Sequence, residues 1–188
     1  RKKKKKDKDG NIIPDRTPKQ RKNNIKFTFA RYMFAFIREG FGALPVWKIA
    51  AAQRGMTDDN LIHSTNYKYL DEKGEILDME GFQVSLGPLA LPINLRATRN
   101  STLVTITWDD SQDNPSAAPT DRMMVGIFYA NYRDTFTLEK ETGATRRDGK
   151  CEITLRNDDG EVCIHPFFAR ADNTAFSEDK AITLPDTE

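Results

Sequence analysis

From Phe82 onward the chain is divided into segments too short for helices. "FQVSLGPL" (82–89), "STLVTITWDD" (101–110), "DRMMVGIFYANY" (121–132), "FTLEKE" (136–141), "KCEITL" (150–155), "EVCIHPFFARA" (161–171) and "DKAITL" (179–184) are rich in β-branched and aromatic residues. Turn signals separate them at Asn100-Ser101, Asp113-Asn114-Pro115, Arg147-Asp148-Gly149, Asp159-Gly160 and Asp172-Asn173. Gly, Asn and Asp accept the turn backbone that most side chains avoid. Short strands at this spacing predict an antiparallel β-sandwich, set here at 82–188.

The part before Gly74 has a different period. "TPKQRKNNIKFTFARYMFAFIREGFGAL" (17–44) reads as one helix from Pro18 to about Glu39. Thr17 and Gln20 have capping-box spacing, and Pro18 occupies the first helical position. Gly40 is expected to close the helix in the left-handed conformation, with Phe41 folding back on Phe36. Ile25, Phe27, Phe29, Ala30, Tyr32, Met33, Phe34, Phe36 and Ile37 cover well over half the circumference. A helix laid on a sheet needs an apolar arc of about 100°, and each exposed Phe forgoes on the order of 2 kcal/mol of burial. At least two packing partners are therefore expected: downstream helices, and a sheet or a neighbouring subunit. A second helix is expected from about Pro45 to Arg54, stopped by Gly55. A third, capped by Thr57 or Asp58, is expected to end near Leu70. Together they define a helical module at 17–73.

Charge is uneven. Residues 1–54 hold 16 Lys/Arg against 4 Asp/Glu, and the remainder 13 against 24. Either basic and acidic parts meet, within one molecule or between neighbours, or a solvated basic tail sits on an acidic domain. The tail, residues 1–16, reads as a flexible arm. Lys2, Lys3, Lys4, Lys5 and Lys6 suit nonspecific contact with nucleic acid or an acidic protein surface, weakening steeply with salt. No aromatic residues are interleaved to stack on bases. The longest apolar run, around Phe27 to Ile37, is too short to span a bilayer and contains Arg31. No signal peptide is visible in the given chain; what precedes Arg1 is open, and virion or cytoplasm is the expected location.

No convergent catalytic set is legible, and no cofactor is expected. Cys151 and Cys163 flank "EITLRNDDGEV". A hairpin turning at Asp159-Gly160 sets Cys163 opposite Arg156 and Cys151 opposite Phe168, so reduced, partly buried thiols are expected. His165, two residues from Cys163, shares a face with it, but a two-ligand set is too small for a metal site. His63 is read as a surface residue of the third helix. "WDDSQDN" (108–114) offers carboxylates to a hard cation yet lacks the glycine and distant Glu of an EF-hand loop, which favours a solvated acidic turn. There is no nucleophile elbow and no phosphate-binding glycine loop. "TRRDG" (145–149) reads as a turn feeding the next strand, with Arg146 alternatively an interface residue.

"LPINLRATRNSTLVTITWDDS" resembles the opening of a fibronectin type III or related immunoglobulin-like domain, with a proline-led first strand and a second strand ending in Trp108. "FFARADNTAFSEDKAITL" resembles its last two strands. That resemblance implies a core position for Trp108. Across most of the chain, "RTPKQRKNNIKFTFARYMF", "VSLGPL", "ITWDDS", "PTDRMMVGIFY", "GATRRDG", "FFARAD" and "AFSEDKAITL" resemble, in this order, a family of small Bacteroidetes proteins known as domain-of-unknown-function family 6266. Members usually begin with a glycine-rich segment before the basic stretch, which this chain lacks. The family implies no activity and no site residues.

The expected fold is α+β, an N-terminal helical segment packed on a C-terminal antiparallel immunoglobulin-like β-sandwich. The expected function is that of a non-enzymatic structural or assembly protein, by analogy a phage virion component. It would assemble with itself or with other subunits. Phe27, Phe29, Phe34, Phe36 and Phe41, with Arg31 and Arg38, are expected to divide between the core and a contact surface. The alternative is an adhesive module whose sandwich loops bind a carbohydrate or a protein.

Overall fold

The computed structural model describes residues 7–11, 17–110 and 114–186. Lys2 to Lys6 and the middle of the acidic loop (111–113) lie outside the described residues. The chain is an α+β protein, with helices α1 (Pro18–Phe41), α2 (Val46–Ala52) and α3 (Asp58–Asn66) preceding antiparallel strands. The strands are β1 (Ile93–Asn100), β2 (Leu103–Asp109), β3 (Arg122–Tyr129), β4 (Tyr132–Glu139), β5 (Lys150–Thr154), β6 (Val162–Ala169) and β7 (Ile182–Leu184). One sheet has the order β1-β2-β5 and the other β4-β3-β6-β7.

Two cores follow from this layering. Between the sheets, Leu95, Val104, Ile106, Trp108, Val125, Ile127, Ile153, Ile164 and Phe168 form one cluster. The opposite face of the four-stranded sheet, with Met124, Phe128, Phe136 and Phe167, packs against Phe34, Ile37 and Phe41 of α1, Trp47 of α2 and Ile62 of α3. β6 is therefore buried at every position. An antiparallel sheet more often leaves one face to water; here the helical layer covers it.

α1 begins as its sequence dictates. The Thr17 amide donates to Gln20 Oε1 at 2.9 Å, and the Gln20 amide donates to Thr17 Oγ1 at 3.2 Å. Its end differs from expectation. The helix runs through Gly40 to Phe41 and stops at Gly42, where φ is 59°. Gly40 serves another purpose: a Cβ there would stand 3.1 Å from the Phe136 ring, so the glycine lets α1 lie close to β4. Phe41 does not fold back on Phe36 but enters the core, 5.7 Å from Phe136 and 6.4 Å from Phe167 between ring centroids. α2 and α3 fall where turn chemistry placed them, with Thr57 capping α3 through Asn60. α3 ends at Asn66 and passes into a 3₁₀ turn at Tyr67–Tyr69.

Two strand readings are corrected. β5 and β6 are not a hairpin, because β5 pairs with β2 and β6 with β3, in different sheets. The segment between them is a crossover, and Cys151 and Cys163, both buried and free, face different cores. Residues 82–87 are not a strand either. They run as an extended strap, with donors and acceptors met by side chains: Asn66 Nδ2 donates to Gln83 O at 2.9 Å, and the Gln83 amide donates to Asn66 Oδ1 at 2.8 Å. The strap passes so near the 176–177 backbone that a Cβ on Gly87 would lie 2.1 Å from Phe176 O. Gly87→Ala is expected to cost about 2 kcal/mol by forcing the strap away, read as a lower urea midpoint at unchanged m-value.

Candidate functional site

The surface of α1 is only partly used inside the chain. Ala30, Met33, Phe34, Ile37 and Phe41 are buried and span about 100° of the helix, the arc that one underlying layer requires. Ile25, Phe29, Tyr32 and Phe36, spaced four, three and four apart, fall within about 60° on a different side. They are 43–68% exposed. Of the expected contact residues, Phe34 and Phe41 thus belong to the core, while Phe29 and Phe36 join Ile25 and Tyr32 in an open stripe.

Phe27 belongs to another flank. Its ring lies 4.8 Å from His63, which stacks at 4.6 Å on Tyr67 and meets Phe34 edge-on at 5.8 Å. His63 is therefore not a simple surface residue. Burial pulls its pKa below the ordinary histidine value, which favours the neutral ring as an aromatic spacer between α1 and α3. Beside it runs an open groove of about 780 Å³, lined by Phe27, Arg31, Tyr32, Phe34, Arg38 and Asp59 among others. Arg38 pairs with Asp59 at 2.5 Å and Asp58 at 3.9 Å; Arg31 is exposed.

A second cluster has the outline of a nucleophilic site. Cys163 Sγ lies 3.4 Å from His165 Nε2, and His165 Nδ1 donates to Asp179 Oδ2 at 2.7 Å. Thiol, imidazole and carboxylate stand in the order that activates a catalytic cysteine. Burial alone would lower the His165 pKa, but the bonds to Asp179 and Cys163 outweigh it and raise the value to about 9. The geometry is nonetheless closed: Cys163 and His165 have no exposed surface. Thr183, hydrogen-bonded to Glu80, sits 3.9 Å from the sulfur. The carboxylate also accepts from Gln83 Nε2 at 2.6 Å and from the Val84 and Ser85 amides at 2.9 and 2.8 Å. What this arrangement does is tie the strap and the helical layer to β6.

A third cluster surrounds Arg146, which is fully buried and so is not an interface residue. The 3₁₀ turn at Arg146–Asp148 is fixed by a Thr145/Asp148 capping box. The guanidinium sits 4.2 Å above the Phe168 ring, its Nη2 donates to Ala90 O at 2.7 Å, and its Nε lies 3.4 Å from Asp121. Trp108 Nε1 donates to Arg146 O at 2.7 Å.

Among the described residues no group of three or more His, Cys, Asp or Glu side chains is arranged to hold a metal ion, and no helix is long and apolar enough to cross a membrane. No protein-family model matches the chain, and no curated protein matches it.

Proposed function

We propose that this chain is a non-enzymatic structural protein of a multi-subunit assembly and that the open side of α1 is its contact surface. The observation that carries the reading is the stripe of Ile25, Phe29, Tyr32 and Phe36, large apolar side chains left roughly half exposed by a helix that is otherwise well packed. Contiguous apolar surface of this kind marks an interaction site, and burying the exposed half of each side chain is worth on the order of 1 kcal/mol. The closure of the Cys163–His165–Asp179 cluster supports a structural rather than a catalytic role for the one nucleophile–base pair apparent among the described residues. Membership in the Bacteroidetes family, and a place in a phage virion, remain proposals by resemblance and analogy.

We further propose that the two sheets form an immunoglobulin-like sandwich of the fibronectin type III kind. The position of Trp108 in the core between them, edge-on to Phe168 at 5.6 Å, supports this. So does the segregation of strands one, two and five from strands three, four, six and seven.

The test is mass by light scattering over a concentration and salt series, with negative-stain electron microscopy of the same samples. Phe29→Ser and Phe36→Ser should each cost about 1 kcal/mol of stability, because each side chain is more than half buried in the monomer, and should leave the chain folded while reducing assembly mass. A wild-type chain that stays monomeric throughout, indistinguishable from both variants, would sink the contact-surface reading.

A further inference from the structure

We infer that the partner on this face is a second copy of the chain related by a two-fold axis, with α1 of each copy seated on the Asp71–Glu80 segment of the other. The inference rests on the assembly reading above and gives it a partner and a geometry.

Charge supplies the first argument. α1 carries six cations, Lys19, Arg21, Lys22, Lys26, Arg31 and Arg38, against the single acid Glu39, with Lys22 offset within the chain by Glu72 and Arg38 by Asp59, so the helix keeps a positive surplus. The segment "DEKGEILDME" (71–80) carries five carboxylates against one lysine. Packing α1 on its own equivalent would oppose two net basic helices, and like charges across an interface are repulsive.

Position supplies the second argument. The acidic segment lies directly alongside the stripe: a Cβ added to Gly74 would stand 2.6 Å from Phe29 Cβ, and Lys22 pairs with Glu72. From there it reaches β4, where the Ile76 amide donates to Arg133 O at 3.3 Å. Leu77 is 55% exposed and Tyr132, at the start of β4, is 46% exposed. Arg21 and Lys22 flank the N-terminal end of the stripe on the helical wheel, while Arg31 and Arg38 line the groove on the other flank. A basic end of the apolar stripe and an acidic apolar segment therefore lie next to each other as the two halves of one face.

Such a face is complementary to itself. A half-turn about an axis between the halves sets each basic half on the acidic half of the other copy, which is the condition for a closed isologous pair. The same adjacency disfavours the other ligands of a basic amphipathic helix. An anionic lipid surface or a nucleic acid that attracted α1 would also be brought against the carboxylates of 71–80.

Two full-length variants test the arrangement by sedimentation velocity, with circular dichroism melts as the folding control. One is Phe29→Ser with Phe36→Ser, which breaks the helix half. The other is Glu75→Lys with Leu77→Ser, which breaks the acidic half. The wild type should sediment as a dimer of the 21.4 kDa chain and loosen with salt. Each variant alone should dimerise at least tenfold more weakly. An equimolar mixture should recover a heterodimer, because one intact helix still meets one intact segment. Rings or filaments of the wild type, a dimer untouched by the Glu75/Leu77 changes, or a mixture that recovers nothing would overturn the two-fold arrangement while leaving assembly standing. Vesicles containing phosphatidylserine that bind the wild type as a monomer would overturn it in favour of a lipid surface. A chain monomeric at every concentration and bound by no vesicle would overturn both readings.

Discussion

Asp179→Ala is expected to lower the unfolding free energy by about 3–5 kcal/mol, the range for removing one partner of a buried charged pair. The carboxylate is almost fully buried and accepts from four groups: His165 Nδ1, Gln83 Nε2 and the Val84 and Ser85 amides. Alanine leaves His165 Nδ1 and the Val84 and Ser85 amides without this acceptor, while Gln83 Nε2 keeps only Ser85 O at 3.0 Å. It also releases the strap from β6, so the Phe82, Val84 and Leu86 side chains lose their seat in the helical core. The pH dependence gives a signature that a mere packing defect would not share. His165 is raised in the folded state to about 9, above its ordinary value of about 6.5. Its contribution is therefore fully present below about pH 6.5 and is lost as pH rises through about 9. Cys151, whose thiol pKa is raised by burial, subtracts stability in the same direction only where an unfolded thiol ionises, and His63, whose pKa burial lowers, adds stability as pH rises through the acid end of the window; both are common to the wild type and Asp179→Ala, so the difference between their profiles from pH 6 to 8 isolates His165. Urea denaturation should show wild-type stability falling with pH relative to that of Asp179→Ala, which loses the Asp179 bond that holds the His165 proton against burial. Parallel slopes in the two proteins would mean that Asp179 does not hold the His165 proton.

The sequence was legible where structure is local. The Thr17 capping box, the break at Gly55 and most strand positions are written in neighbouring residues, and the structure has them. It was not legible where one side chain satisfies distant backbone. "FQVSLGPL" alternates like a strand, but Asn66 and Asp179 take the place of a neighbouring strand, and neither is close in sequence. "EITLRNDDGEV" has the turn of a hairpin, yet the chain uses it to cross between sheets. One signal was available and unread: "MMVGIFY" and "VCIHPFF" are nearly continuous apolar runs, which mark strands covered on both faces and so place the helical layer over β3 and β6. The stripe was partly legible. The excess width of the apolar arc can be counted on a helical wheel, but which residues remain outside depends on how α3 and β4 approach.

The segments carrying the family resemblance also find a physical explanation. "VSLGPL" and "AFSEDKAITL" supply both sides of the strap tie: the Asp179 bonds, the Ser85 hydroxyl donating to Ser177 O at 2.7 Å, and the close pass of Gly87 over Phe176. "ITWDDS", "PTDRMMVGIFY", "GATRRDG" and "FFARAD" supply Trp108, Asp121, Arg146, Phe168 and Arg170 of the other buried cluster. These motifs hold layers together, so they inform about fold and are silent about a reaction. Such function as can be argued comes instead from the part of α1 that the layers leave uncovered.

Arg146→Ala tests the second tie, with an expected loss of about 3–5 kcal/mol. Asp121 has no exposed surface. With Arg146 gone, its charge would be left to the Ala118 amide at 2.9 Å and to Arg170, which lies 3.5 Å away and is partly solvated. The cation over Phe168 would go too. Burial lowers the Arg146 pKa and Asp121 opposes that, so the pair is held in an environment where an unmatched charge is costly. Removing both charges should therefore hurt less than the sum of the single changes: Arg146→Met with Asp121→Asn should recover at least about 1 kcal/mol relative to additivity. A loss below about 1 kcal/mol for Arg146→Ala, or strict additivity in the cycle, would show that the two charges are not coupled in this way. The alternative role read from "TRRDG", an interface arginine, makes the opposite prediction. Its replacement would weaken assembly and leave the isolated fold as stable as before. Buried over the Phe168 ring, the side chain has no surface to offer a partner. The expected result is accordingly a destabilised chain whose surviving folded fraction assembles as the wild type does.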